Sequence, residues 1–194
     1  MALRGRGFVS VGAVAACCAL AAACSPDQSP ASTPSPTLVT TTPAESQIER
    51  QMRLDYEAAE EAYRANRAEQ ARLYQAGGTT KVTSAMKATA TDSYLRITVE
   101  ALRRIKKAGW KATGATEIVG VVANRGWKEN EVELTSCEDS TVVRFLDGSG
   151  KDVTPATNRR YVQALKVVKL DGRWKVSKAV TTKVNSFQGQ PCGA

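Results

Sequence analysis

The chemistry open to this chain is narrow because none of its 194 residues is a histidine. Ser-His-Asp and Cys-His nucleophiles, imidazole metal ligands and a histidine general base are therefore excluded. Carboxylates, lysines, tyrosines and cysteines remain. A carboxylate could still act as a base if an apolar pocket raised its pKa.

The candidate carboxylates are better explained by local structure than by catalysis. Asp92 is expected to cap a helix, and Asp139 is expected to lie in a turn. Asp147 and Asp171 each precede a glycine, a pairing typical of turns. We therefore predict no catalytic residue, no metal site and no cofactor.

Three tyrosines recur at helical spacing and are predicted to be core residues rather than a ligand cage. They are Tyr56, Tyr63 and Tyr74.

The strongest surface signal is a basic cluster at the end of a predicted helix: Arg103, Arg104, Lys106, Lys107 and Lys111. With a net charge of +8, such a cluster could contact anionic lipid headgroups or wall polymers, at about 1 kcal/mol per basic residue. The alternative is a solvated helix end that suits the helix dipole. No nucleic-acid partner is expected, because the chain has no Gly-rich loop or aromatic-basic ladder.

The first residues predict an export signal. Arg4 and Arg6 precede an apolar run, Phe8 to Ala23, that is short for a membrane span. The sequence Leu20-Ala21-Ala22-Ala23-Cys24 resembles the cleavage site of a bacterial lipoprotein signal peptide. That resemblance implies a signal over residues 1–23, with a diacylglyceryl group on Cys24. Cys17, after Val14-Ala15-Ala16, is the alternative lipidated residue.

Residues 24–42 are rich in Pro, Ser and Thr and predict an extended tether. At roughly 3.1 Å per residue it would span on the order of 55 Å. Two cysteines then remain in the mature chain, Cys137 and Cys192. A disulfide between them would close a loop of about 55 residues and contribute roughly 4 kcal/mol. Two free thiols are the alternative.

Residues 43–194 predict one α+β domain. Thr42, Pro43 and Glu45 indicate the start of a long helix that ends at Gly77. Its apolar face is predicted to contain Ile48, Met52, Tyr56, Ala59, Tyr63 and Tyr74, and Gln70 is a lapse in this pattern. A weak helix over 81–88 and a helix from Asp92 to Gly109 follow.

Beyond Gly109 the apolar period changes to two, which predicts strands over 116–124, 131–137, 141–146, 158–170 and 173–182. Asp171-Gly172 predicts a two-residue hairpin turn. Trp174, Val176 and Val180 are expected on one face of the last strand. Helices first and antiparallel strands afterwards favour helices packed on a curved sheet.

This order resembles the NTF2-like (SnoaL-like, cystatin-superfamily) cone, in particular small actinobacterial lipoproteins and secreted proteins carrying such a domain. The resemblance lies in Val132 to Asp139, in Asp171 to Val176, and in the terminal Cys192. It implies a bent antiparallel sheet with a long last hairpin. It also implies that Cys137 and Cys192 staple a strand to the chain end.

The sequence therefore predicts an exported protein, lipid-anchored on the extracytoplasmic face of the cell membrane. Its domain is expected to be a non-catalytic module that binds an envelope protein or a small ligand. A lyase or isomerase using a carboxylate or Tyr in the cone is the alternative, and a structural protein that oligomerises through its sheet is a third reading.

Overall fold

The computed structural model describes residues 45–124, 126–156 and 160–183, all within one compact unit. The predicted signal, the tether and Cys192 lie outside the described residues. The described residues form an α+β fold, as predicted, with helices followed by an open antiparallel sheet. Among them, no helix is both long and apolar enough to cross a membrane.

Within the described residues, three helices come first: α1 (Gln47–Gln75), α2 (Ser84–Thr89) and α3 (Asp92–Ala108). The start of α1 differs from the prediction, because Ser46 is the N-cap and forms a capping box with Glu49. The cap predicted at Asp92 is also wrong. Thr91 is the N-cap of α3, and Asp92 is the first helical residue.

Six strands follow in the part of the chain that the structure describes: β1 (Lys111–Thr113), β2 (Glu117–Ala123), β3 (Glu131–Asp139), β4 (Arg144–Leu146), β5 (Arg160–Leu170) and β6 (Arg173–Lys183). Four of them form an antiparallel sheet in the order β2-β3-β5-β6. β1, which the sequence pattern missed, pairs with β4 in a separate two-stranded sheet. The predicted strand over 141–146 is shorter than expected, because Thr141 and Val142 lie in a turn.

The predicted hairpin is confirmed, because Asp171 and Gly172 both have positive φ (51° and 74°) between β5 and β6. The prediction that Val180 shares a face with Trp174 and Val176 is wrong, because Val180 points outward. A bulge shifts the register, so that Val167 pairs with Val176 but Lys166 pairs with Lys178. The extra residue turns Ala179 towards the core and leaves Val180 50% exposed.

Two apolar clusters hold the unit together. The first packs α1 on the sheet through Ala59, Tyr63, Val132, Leu134, Leu165, Val167, Trp174 and Val176. The second joins the three helices through Leu73, Met86, Ala90, Leu95, Val99 and Leu102. The predicted apolar face of α1 is buried at Ala59 and Tyr63, but Ile48 is 66% exposed. Gln70, the lapse in that face, is also buried.

Gly78 fixes the angle between α1 and α3. It has φ of 78°, and a Cβ placed there would lie 2.2 Å from the Leu102 carbonyl oxygen and 2.8 Å from the Lys106 nitrogen. Both contacts are with backbone, so neither can be relieved by a side-chain rotation. Only glycine permits this approach.

We expect Gly78→Ala to lower the free energy of unfolding by about 3 kcal/mol or more, because it adds a backbone clash to the left-handed strain. Gly109→Ala is the matched control, since Gly109 has φ of 71° and nothing within 4 Å of the added Cβ. It should cost about 1 kcal/mol. Urea unfolding measures both, and equal losses would contradict the close-approach argument.

Candidate functional site

The candidate site lies where one face of α1 meets two neighbouring strands. Tyr63 and Arg67 are one helical turn apart on α1, and so project on the same side of the helix. Glu138 on β3 is paired with Tyr161 on β5. The side chains of Tyr63, Arg67 and Tyr161 converge on the buried carboxylate of Glu138.

Both oxygens of the Glu138 carboxylate are occupied. Oε1 accepts a hydrogen bond from the Tyr63 hydroxyl. Oε2 accepts from Arg67 Nη2 in an ion pair, and from the Tyr161 hydroxyl at 2.8 Å. Arg67 Nη2 also donates to the Tyr161 hydroxyl at 2.9 Å, which closes a three-membered arrangement around Oε2.

Burial makes these contacts strong. Glu138 is 0% exposed, and the Arg67 side chain is 15% exposed. Burial by itself would lower the pKa of Arg67, but the Glu138 carboxylate raises it, and the net pKa lies above the usual range. The guanidinium therefore keeps its charge.

The two tyrosines stay protonated at neutral pH. Burial raises the pKa of Tyr63 above its usual value, and the negative charge of Glu138 raises it further. Burial also raises the pKa of Tyr161, and Arg67 only partly opposes this effect. Neither hydroxyl is activated as a base or nucleophile.

The network continues along α1 towards α2 and α3. Arg67 Nη1 donates to Gln70 Oε1 at 3.1 Å. Gln70 Nε2 donates to Asn66 Oδ1 at 2.6 Å, and Asn66 Nδ2 donates to Thr89 Oγ1 at 3.0 Å. Gln70, which broke the apolar pattern of the helix, is thus a buried hydrogen-bonding residue.

A cavity of about 220 Å³ lies beside this network. Its lining consists of Arg67, Gln70, Ala71, Tyr74, Ala112, Gly114, Ala115, Thr116, Ser140, Val143, Phe145 and Tyr161. Gly114 and Ala115 are exposed, so the cavity reaches the surface there. Glu138 is not part of the lining, because Arg67 and Tyr161 cover its Oε2.

Three cysteines for which we made predictions lie outside the described residues. They are Cys24, the predicted lipidation site, its alternative Cys17, and Cys192, the predicted disulfide partner. Cys137 is described. It is 0% exposed and disulfide-bonded. Its pairing with Cys192 stays a prediction.

The predicted basic cluster is exposed at all five positions: Arg103, Arg104, Lys106, Lys107 and Lys111. Arg103 forms an ion pair with Glu100 at 2.9 Å. Within the described ranges, the other four have no ion-pair partner. Lys111 directly precedes Ala112 of the cavity wall.

The site residues Arg67, Glu138 and Tyr161 were missed by the sequence analysis. A signal for Glu138 does exist, because Val132, Leu134, Ser136 and Glu138 alternate along one face of β3 and all four are buried. A charge at an inward position of a strand predicts a buried partner. Nothing in the sequence identifies that partner as Arg67.

The chain matches no protein-family model and no curated protein. Among solved structures it is similar to the intermembrane space region of the chloroplast protein ARC6, with 15% identity and a TM-score of 0.45. The match covers 66% of this chain and 96% of that chain. So distant a likeness carries no argument about function.

The described residues contain no group of three or more Cys, Asp or Glu side chains that could hold a metal ion.

Asp139, a predicted turn residue, is the last residue of β3. Its carboxylate accepts from the Thr141 backbone N–H at 2.8 Å and organises the turn that follows.

We expect Glu138→Gln to lower the free energy of unfolding by about 3–5 kcal/mol, because it leaves the buried Arg67 charge unpaired. Arg67→Met should cost a similar amount, and the double variant should lose less than the sum. Arg64→Met and Glu60→Gln form the matched control on the same helix. Their exposed pair, at 2.7 Å, should contribute less than about 0.5 kcal/mol. Additive losses at Arg67 and Glu138 in urea unfolding would contradict this account.

Asp139 predicts a defined acid dependence. Hydrogen bonds from the Thr141 hydroxyl and from Arg160 lower the pKa of Asp139 from 3.8 to about 2. Since the folded pKa is the lower one, this stabilisation is complete above about pH 4 and is lost as pH falls towards 2. Asp139→Asn should therefore flatten the acid limb of stability, and Thr141→Val should move its midpoint upwards. Thermal unfolding across this pH range measures both, and unchanged profiles would contradict the assignment.

Proposed function

We propose that this protein is an exported lipoprotein of the cell envelope whose domain is a non-catalytic binding module. In this proposal Cys24 carries the lipid, residues 24–42 are the tether, and the domain faces the extracytoplasmic side of the membrane. The small residues before Cys24 and the Pro/Ser/Thr-rich composition after it support the anchor.

The observation that favours binding over catalysis is that both carboxylate oxygens of Glu138 already accept hydrogen bonds from the protein. A general base needs a free lone pair directed at its substrate. Glu138 has the Tyr63, Arg67 and Tyr161 donors on its two oxygens, and it does not line the cavity. The charged residue in the cavity lining is Arg67, whose guanidinium donates hydrogen bonds but does not accept protons.

We also propose that the domain belongs to the NTF2-like class. Support comes from three helices that precede an open antiparallel sheet, and from the long last hairpin, β5–β6, in which each strand has 11 residues. In such a cone the binding cavity lies between the helices and the sheet, and the cavity beside Arg67 is lined by residues from both.

The anchor is tested by mass spectrometry of the native protein extracted from membranes. We expect the mature chain to begin at Cys24 with a diacylglyceryl group, and Cys24→Ser to abolish both cleavage and acylation. Cys17→Ser is the matched control and should leave both unchanged. A lipid on Cys17, or a mature protein without lipid, would overturn the anchor at Cys24.

The non-catalytic reading is tested separately on the purified protein. We expect no steady turnover of small hydroxy, keto or enol compounds that depends on Glu138. Turnover that is lost in Glu138→Gln, in a sample whose circular dichroism shows it folded, would favour the lyase or isomerase alternative.

A further inference from the structure

The cavity beside Arg67 has an aromatic and apolar wall. Tyr74 and Phe145 meet edge-on with ring centroids 5.9 Å apart. Ala112 and Val143 are buried beside them. At about 220 Å³, the cavity is large enough for a small organic molecule but not for a peptide or a lipid chain. Flat apolar groups pack well against such walls.

The electrostatics of the lining are one-sided. Arg67 is the charged residue among those that line the cavity, and no Asp or Glu belongs to that lining. The compensating carboxylate of Glu138 is 0% exposed, is paired with Arg67 and is not part of the cavity lining. A bound molecule therefore approaches the positive partner of the pair more closely than the negative one.

The surroundings of the cavity add more positive charge. Burial raises the pKa of Tyr74, and the positive charges of Arg67 and Arg104 act against this rise. Lys111 lies near the end of α1, where a Cβ placed at Gly77 would be 3.3 Å from Lys111 Cγ, and it precedes Ala112 of the wall. Arg104 and Lys111 are exposed and have no acidic partner among the described residues. Unpaired charges beside an opening attract ions of the opposite sign.

We propose that this cavity binds a small organic anion. Its carboxylate points towards Arg67, and its apolar or aromatic body lies against Tyr74 and Phe145. Arg104 and Lys111 attract it to the opening. This inference rests on the proposed binding role of the domain, but it does not depend on the lipid anchor.

The test compares three probes of one shape and different charge: benzoate, benzamide and benzylammonium. Each is titrated into the full-length protein in nanodiscs of neutral phospholipid, with empty nanodiscs as background, and binding is followed by NMR chemical shifts. We expect benzoate to bind at least about tenfold more tightly than benzamide, because a charged acceptor gains more from a guanidinium than a neutral one does. Benzylammonium should not bind.

A filled cavity should abolish binding without unfolding the protein. Ala71→Leu places a larger side chain in the lining and keeps the helix propensity of α1. Ala68→Leu is the matched control on the same helix, where Ala68 is exposed. Benzoate binding should be lost in the first variant and kept in the second.

The surface charges give a second readout. Arg104→Gln with Lys111→Gln should weaken benzoate binding roughly threefold at low salt, and the difference should shrink as salt is added. Lys81→Gln with Lys178→Gln removes the same charge from other exposed positions and should have little effect.

Three results would overturn the inference: equal affinity for benzoate and benzamide, benzoate binding that survives Ala71→Leu, or no saturable benzoate binding up to millimolar concentration. The lipid on Cys24 is measured on the same sample. Benzoate binding by a protein without lipid would keep this inference and remove the anchor. An acylated protein that shows no saturable benzoate binding would support the anchor and contradict the inference.

Discussion

The ion pair between Arg67 and Glu138 is the constraint on which the arrangement of helix and sheet depends. A carboxylate in a 0% exposed position is tolerated only if donors replace the water it has lost. Three donors from two elements do so here, and each is directional. The position and rotation of α1 on the sheet are therefore fixed at this point more tightly than apolar contacts could fix them.

The same pair gives the cavity its character. The Glu138 carboxylate pairs with the Arg67 guanidinium and holds it in place. The cavity therefore has a fixed, positively charged residue next to apolar walls. A preorganised donor of this kind loses little conformational freedom when a ligand arrives. This composition supports the proposed binding role, because the described residues that line the cavity include no carboxylate that could accept a proton.

α1 is long enough to contribute to both apolar clusters, and a polar network lies between them. Ala59 lies in the dry cluster against the sheet, and Leu73 lies in the cluster that joins the three helices. Between them Asn66, Arg67 and Gln70 form the polar network. The apolar clusters supply most of the burial, while the polar stretch specifies one register between helix and sheet.

Much of the fold follows from local sequence. The change from period 3.6 to period 2, the hairpin at Asp171-Gly172 and the αL end of α3 at Gly109 were each predictable. The wrong predictions concern details that nearby residues decide, namely which residue caps a helix and where a strand contains a bulge. Ser46 replaced Thr42 as the N-cap, and a bulge after Val176 reversed the direction of Val180.

The sequence by itself determined the class of fold, the order of the helices and of the strands other than β1, and the absence of histidine chemistry, because these depend on residue types and on neighbours within one turn or one strand. The tertiary structure decided the site. Arg67 and Glu138 are 71 residues apart in sequence, and no periodicity says that they meet. Their contact exists because the packing of α1 on β3 removes water from both charges, and each charge is then stable only beside the other.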